Sequence, residues 1–207
     1  MDPVSNPYSP GAGIQPPELA GRDSDITGFQ TLLARASAGR ASQSLVLTGL
    51  RGVGKTVLLN DLARRARAAD WIVAQVEARS NADATEASFR VTLARSLNQS
   101  LREVTGRGGL RDKVRSALGT FKAFSIKTDP SGTLALGIEV ESRSGRADSG
   151  SLELDLSELA FDLAASAADL GTGVVVFIDE MQDLLKEELA AVCTAVHETG
   201  QRSAPFY

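Results

Sequence analysis

The sequence predicts an α/β fold in which a parallel sheet lies between two layers of helices. Two short apolar runs rich in β-branched residues, at 44–48 and 173–178, are typical of parallel strands buried on both faces. Around them, apolar residues recur every three or four positions, as in amphipathic helices. Strands that alternate with helices favour a parallel sheet with crossover helices.

Length, charge and cysteine content narrow the class of protein. The 207 residues favour one domain, and a net charge of −4 gives no overall basic character for nucleic acid. Cys193 is the single cysteine, so no internal disulfide forms, which fits a reducing compartment. No apolar stretch reaches the roughly 20 residues that cross a bilayer, and the N-terminus lacks a signal-peptide pattern. We therefore expect a cytoplasmic protein without membrane contact.

The N-terminal half begins with a leader. Residues 1–17 hold five of the seven prolines and are predicted to be flexible, with the folded domain over 18–207. A helical stripe from Ile26 to Leu33 follows. The first strand at 44–48, a glycine-rich loop and a second helix come next.

The rest of the chain continues the alternation. We predict a second strand at 71–77, a long helix at about 83–104 and a shorter one at about 110–119. Two further helices, at about 153–170 and 183–199, flank the apolar run at 173–178.

Residues 105–151 differ from the rest and are predicted to be an insertion. Two alternating runs, 121–128 and 133–140, flank an Asp-Pro-Ser-Gly turn, which favours a β-hairpin. The polar stretch 141–150 is predicted to be a mobile loop.

Residues 49–56 fit the phosphate-binding pattern G-x-x-x-x-G-K-[ST]. Its glycines let successive backbone N–H groups point at one anion, and a helix that starts there adds the positive end of its dipole. Lys55 is predicted to reach the β- and γ-phosphates, and the Thr56 hydroxyl to ligate Mg²⁺. The alternative is a glycine-rich turn without a ligand. The predicted phosphate-binding residues are Gly49, Leu50, Arg51, Gly52, Val53, Gly54, Lys55, Thr56 and Val57.

Two acids end the apolar run at 173–178. Ligands of open α/β sheets bind at the carboxyl ends of the strands, where these acids would emerge. Asp179 is predicted to hold Mg²⁺, directly or through water, and Glu180 to polarise a water for attack on the γ-phosphate. Glu180 and Lys55 are thus the predicted catalytic residues. The alternative is that both acids merely begin a helix, where acids are favoured.

Together the two motifs resemble P-loop ATPases that use a catalytic glutamate, a three-layer αβα fold. Residues 17–26 are similar to the segment before the first strand in origin-recognition-type AAA+ proteins and STAND signalling ATPases. The resemblance implies ATP and Mg²⁺ as cofactors, with adenine preferred over guanine on that ground alone. It also implies that Gly21, Arg22 and Ile26 line the base pocket. For Arg22, a salt bridge at the helix start is the equal alternative.

The resemblance also implies a sheet with strand order 5-1-4-3-2, in which the acidic strand is the third. The fourth strand would begin near residues 203–207, and the sensor, arginine finger and helical lid would follow it. We therefore expect the N-terminal part of a larger ATPase, incomplete at the C-terminus and marginally stable. Such a fragment is expected to bind nucleotide without useful turnover.

Three functions are compatible with these features. The first is Mg-ATP hydrolysis coupled to the remodelling of a partner. The second is a STAND-like nucleotide-dependent switch that signals by self-assembly. The third is a DNA-associated ATPase module, for which a solvated charged face is the simpler interpretation of the basic residues. The protein or DNA partner stays open. Those basic residues are Arg102, Arg107, Arg111, Lys113, Arg115, Lys122 and Lys127.

Overall fold

The structure is a computed structural model that describes residues 19–50, 52–78, 86–105, 111–128 and 141–207. The predicted leader, Arg51 and residues 129–140 lie outside these ranges. These ranges contain six α-helices and two strands. The helices are α1 (Asp23–Ser37), α2 (Lys55–Ala68), α3 (Glu86–Thr105), α4 (Arg111–Thr128), α5 (Leu152–Ala168) and α6 (Lys186–Gln201), and the strands are β1 (Ile72–Glu77) and β2 (Val174–Asp179).

The two strands form a small parallel sheet. Ile72 pairs with Val174 and Glu77 pairs with Asp179, so the carboxyl ends of both strands lie at the same edge. Residues 205–207 pair with the opposite side of β2, where the Val174 N–H donates to the Pro205 carbonyl at 2.8 Å. This places the end of the described chain beside the acidic strand, as the resemblance implied.

Helices cover both faces of the sheet, which makes a three-layer αβα arrangement. Alternate strand residues face opposite layers because side chains of a strand alternate in direction. Val73, Val175 and Phe177 pack with α1 and α2. Ile72 and Val174 belong to the larger core formed with α3, α4, α5 and α6. The prediction of an α/β fold is confirmed, the strand predicted at 71–77 is present as β1, and the predicted burial on both faces is confirmed for β2.

The strand predicted at residues 44–48 is wrong for this structure. These residues have no regular secondary structure, and Leu45 and Val46 are 48% and 67% exposed. A strand exists only where a neighbouring backbone supplies ladder hydrogen bonds. In the described residues, only 205–207 lie along the free side of β2, and they pair with β2 itself. Residues 44–48 therefore have the composition of a buried strand, but no strand of the described residues pairs with them.

Two serines of α3 cover the outer edge of β1. The Val73 N–H donates to Ser100 Oγ at 2.9 Å, and the Gln75 N–H donates to Ser96 Oγ at 2.7 Å. Four helix residues advance about 6 Å, and two strand residues advance about 6.6 Å. The spacing of the two serines along α3 therefore matches the spacing of the two amides along β1. The hydroxyls satisfy amides that would otherwise be free to pair with another chain.

The predicted β-hairpin is also wrong, because its first run is helical. Residues 121–128 lie in α4, which extends well past the helix predicted at 110–119. Leu118, Phe121 and Phe124 are fully buried at helical spacing, so burial of this stripe decides the conformation. Gly119 does not end the helix. A Cβ there would lie 3.1 Å from the Glu141 carbonyl, so glycine permits the close approach of the following segment.

The segment 141–150 has no regular secondary structure, but acids of α5 hold it in place. Asp155 accepts hydrogen bonds from the Ser149 N–H, the Ser149 hydroxyl and the Gly150 N–H. Arg146 pairs with Asp162 at 2.6 Å, and Ala147 is buried. The prediction of a mobile polar loop did not anticipate these contacts.

Candidate functional site

The glycine-rich loop joins residues 44–48 to α2, and its conformation requires glycine. Gly49, Gly52 and Gly54 have φ values of 151°, 82° and 80°, which L side chains rarely adopt. Gly54 caps the N-terminus of α2 in the left-handed conformation. The helix therefore begins directly at Lys55, and the amides of its first turn face the loop.

Lys55 is turned back onto the loop. Its Nζ donates to the carbonyl oxygens of Gly49 and Leu50, both at 2.9 Å. These bonds hold the ammonium group against the loop backbone. A cation at this position can neutralise the negative charge of an anion that the loop amides bind.

Thr56 and Asp179 meet at the carboxyl edge of the sheet. The Thr56 hydroxyl donates to Asp179 Oδ2 at 2.7 Å, although the two residues are 123 positions apart in the sequence. Thr56 is in the first turn of α2, and Asp179 is the last residue of β2. A hydroxyl and a carboxylate are oxygen ligands of the kind that Mg²⁺ uses, and Mg²⁺ usually takes only one or two carboxylates beside phosphate oxygens and water. The donor set fits this ion.

Glu180 follows β2 in the left-handed conformation, with φ of 52°. Such a conformation is uncommon for a residue with a side chain and is concentrated at functional sites. Its carboxylate accepts a hydrogen bond from the Gln182 side-chain amide at 2.5 Å, and its N–H donates to Asp179 Oδ1 at 3.0 Å. The side chain is exposed at the same edge as Thr56.

Arg22 links the start of α1 to the loop. Its guanidinium donates to the Val53 carbonyl at 2.8 Å and pairs with Asp25 at 3.1 Å. Arg22 therefore forms the salt bridge at the helix start that was the alternative prediction, and it also contacts the glycine-rich loop. Gly21 forms the preceding turn with φ of 75°, and Ile26 packs against the core shared by α1 and α2.

The structure thus brings the predicted residues of the loop, the acid pair and the α1 start to one side of the fold. Arg51 lies outside the described residues. Sequence reasoning missed Gln182, whose only signal is an amide two residues after the predicted catalytic acid. It also missed the contact of Arg22 with Val53, because nothing in the sequence marks a bond across 31 residues.

An αβα arrangement with a glycine-rich loop at a helix N-terminus, and an acid at the end of a parallel strand, is consistent with the P-loop nucleotide-binding class of proteins. The family model for the AAA ATPase domain matches residues 18–206, and the chain belongs to that family. No curated protein and no solved structure was found to match it. Membership implies a nucleotide-binding ATPase domain. In the described part of the chain, no helix is long and apolar enough to span a membrane.

Proposed function

We propose that this domain binds Mg-ATP through residues 49–57 and that Glu180 is the base for its hydrolysis, which this chain is expected to carry out only slowly. The observation that carries the proposal is the 2.7 Å hydrogen bond between Thr56 and Asp179. It joins the two predicted metal ligands from distant parts of the chain at the edge where the phosphate loop lies.

Different groups of the site bind different parts of Mg-ATP. Amides of the loop and of the first turn of α2 donate to phosphate oxygens, and Lys55 neutralises charge on the β- and γ-phosphates. Thr56 and Asp179 are the residues that would hold Mg²⁺. When bound, the ion would neutralise charge on the transferred phosphoryl group. Release of Lys55 from the Gly49 and Leu50 carbonyls would free its donors for a ligand.

Glu180 is the proposed general base. An exposed carboxylate next to the metal-binding acid can accept a proton from an attacking water, if it lies within hydrogen-bond reach of that water. Gln182 donates to one oxygen of this carboxylate, so it sets the orientation of the group. The second oxygen remains available to water.

Residues at the start of α1 are proposed to bind the base of the nucleotide. Gly21, Arg22 and Ile26 are the proposed residues, with adenine as the expected base. Support comes from the contact of Arg22 with Val53, which connects this segment to the phosphate loop.

Titration with a fluorescent ATP analogue in Mg²⁺ tests binding. We expect saturable binding to the wild-type chain and a loss of at least about tenfold in Lys55→Ala, since a charge-assisted contact to phosphate is removed. Arg40→Ala is the matched control. It also removes one positive charge, but Arg40 lies beyond the opposite end of α1 from Arg22. Equal weakening in both variants would contradict the proposal.

Hydrolysis is tested separately, with Glu180→Gln. We expect ATP binding to be retained and turnover to fall, because the amide cannot accept the proton. Turnover that is unchanged in Glu180→Gln would show that Glu180 is not the base. Wild-type binding without turnover would contradict hydrolysis by this chain but not nucleotide binding.

A nucleotide-dependent switch is the second candidate. The hydrogen bond from Gln182 occupies one oxygen of the Glu180 carboxylate and lowers its basicity, which favours slow turnover. Faster hydrolysis in Gln182→Ala would support this candidate, and self-assembly that depends on ATP would support signalling. Remodelling of a partner and DNA association remain further proposals. Of the basic residues considered for DNA, only Arg102 and Lys122 have described side chains, and both already interact with other groups.

A further inference from the structure

A polar groove of about 630 Å³ lies between α2, the outer part of β1 and α3. It is separate from the phosphate loop. Arg67 is twelve residues beyond Lys55 on α2, a distance of about 18 Å along the helix axis. The residues that form the groove include Arg67, Gln75, Thr92, Arg95, Gln99 and Glu103.

The wall from α3 is one stripe of polar residues. Thr92, Arg95, Gln99 and Glu103 are three or four positions apart, so they share one side of the helix. The neighbouring side of α3 is the buried apolar stripe that contains Leu97. Because that stripe is fixed in the core, the polar stripe is fixed toward the groove.

The groove contains two guanidinium groups whose charge is not balanced. Arg67 is half-buried and donates to the neutral Gln75 side chain at 2.6 Å, and Gln75 donates in turn to Asn60 at 3.0 Å. This chain of hydrogen bonds holds Arg67 in place without offsetting its charge. Arg95 is exposed, and the described residues provide no ion-pair partner for it. Glu103 is the single acid of the lining, and it accepts a hydrogen bond from Gln99 at 3.4 Å.

We infer that this groove binds a small anion that carries phosphate groups, held between Arg67 and Arg95. Guanidinium groups donate paired hydrogen bonds that match phosphate oxygens, and the polar lining does not suit an apolar ligand. Two cations and one acid in the lining favour a compact anion over a nucleic acid strand, which requires a longer run of cations.

Calorimetric titration with inorganic pyrophosphate at constant ionic strength tests the inference. The background is Lys55→Ala, because the phosphate loop is expected to bind the same probe. In this background we expect saturable binding that falls at least about tenfold in Arg95→Gln. Arg40→Gln, which changes an exposed arginine outside the groove, is expected to bind as the background does. Arg95→Lys keeps the charge but not the paired donors and should be intermediate.

Three outcomes would overturn the inference. If Lys55→Ala abolishes pyrophosphate binding, the phosphate loop is its only site. If Arg40→Gln and Arg95→Gln weaken binding equally, the effect is general charge. If short single-stranded DNA binds more tightly than pyrophosphate and depends on Arg95, the occupant is an extended polyanion. Failure of ATP binding in the wild-type chain would not bear on this test, since the background already lacks Lys55.

Discussion

Replacing Asp155 by asparagine tests the buried ion pair that fixes segment 141–150 to the helical layer. Asp155 is fully buried in α5 and pairs with Arg90 of α3 at 2.6 Å. It also accepts hydrogen bonds from two amides and one hydroxyl of residues 149–150. The Arg90 guanidinium lies over the Phe124 ring, 4.2 Å from its centroid, so the pair also touches α4. Asparagine keeps the shape, but its NH₂ group faces donors in place of an acceptor.

The expected cost is large. Removing one partner of a buried ion pair leaves the other charge uncompensated, which costs about 3–5 kcal/mol. For a chain of this size, 1 kcal/mol changes the melting temperature by about 2–4 °C. We therefore expect Asp155→Asn to lower the Tm by about 6–20 °C in a circular-dichroism melt at pH 7. Asp169→Asn, in the exposed residue after α5, is the matched control and should stay within about 0.5 kcal/mol of the wild type.

The difference in stability between wild type and Asp155→Asn should change with pH. Burial raises the pKa of Asp155, but hydrogen bonds from Ser149 and Arg90 outweigh this and hold the pKa below the ordinary value of an aspartate. A carboxyl whose pKa is lower in the folded state stabilises the fold above its unfolded pKa, and the gain is lost as pH falls through the folded pKa. The gap between wild type and Asp155→Asn should therefore be full at pH 7 and narrow below about pH 4.

Two results would refute this reasoning. If Asp155→Asn melts within a degree or two of Asp169→Asn at pH 7, the ion pair does not stabilise the fold. If the gap between wild type and Asp155→Asn stays constant down to pH 3, the effect comes from the lost hydrogen-bond acceptor rather than from charge. Either result would require another account of how residues 141–150 are held.

Three further changes test other parts of the structure. Gly173→Ala would place a Cβ 2.6 Å from the ring of the buried Trp71, so we expect it to lower the free energy of unfolding by about 1–3 kcal/mol in urea titrations. Ser100→Ala leaves the Val73 N–H without its acceptor and should cost about 1–3 kcal/mol, with faster exchange of that amide. Thr56→Val removes a proposed metal ligand, so ATP binding should lose its dependence on Mg²⁺ while binding without Mg²⁺ is retained. Unchanged dependence would contradict the assignment of Thr56.

The sequence predicted β1, β2 and most helices because the spacing of apolar residues in these segments matches the residues that are buried in the fold. Residues 174–178 are apolar and lie in the sheet between β1 and residues 205–207, so composition and environment coincide. Residues 44–48 have the same composition and form no strand, because strand formation depends on a neighbour and not on the segment alone. For 121–128, alternation and helical spacing were both present, and packing of Phe121 and Phe124 selected the helix.

The site was predictable where one short segment determines its geometry. The glycine-rich loop needs left-handed glycines directly before a helix, and this requirement is visible in the spacing of Gly49, Gly52 and Gly54. The contact of Arg22 with Val53 was not predictable from either segment alone. The Arg22 bond to Val53 depends on how α1 packs against α2.

The register of β2 determines which acid reaches the loop. Val175 and Phe177 face α1 and α2, and alternation puts Asp179 on the same side, where it bonds to Thr56 at the start of α2. A register slip by one residue would turn that side chain toward the other helical layer and break this contact. Glu180 would point away under strict alternation, but its left-handed conformation ends the strand there. The strand therefore ends between the two acids of the proposed site.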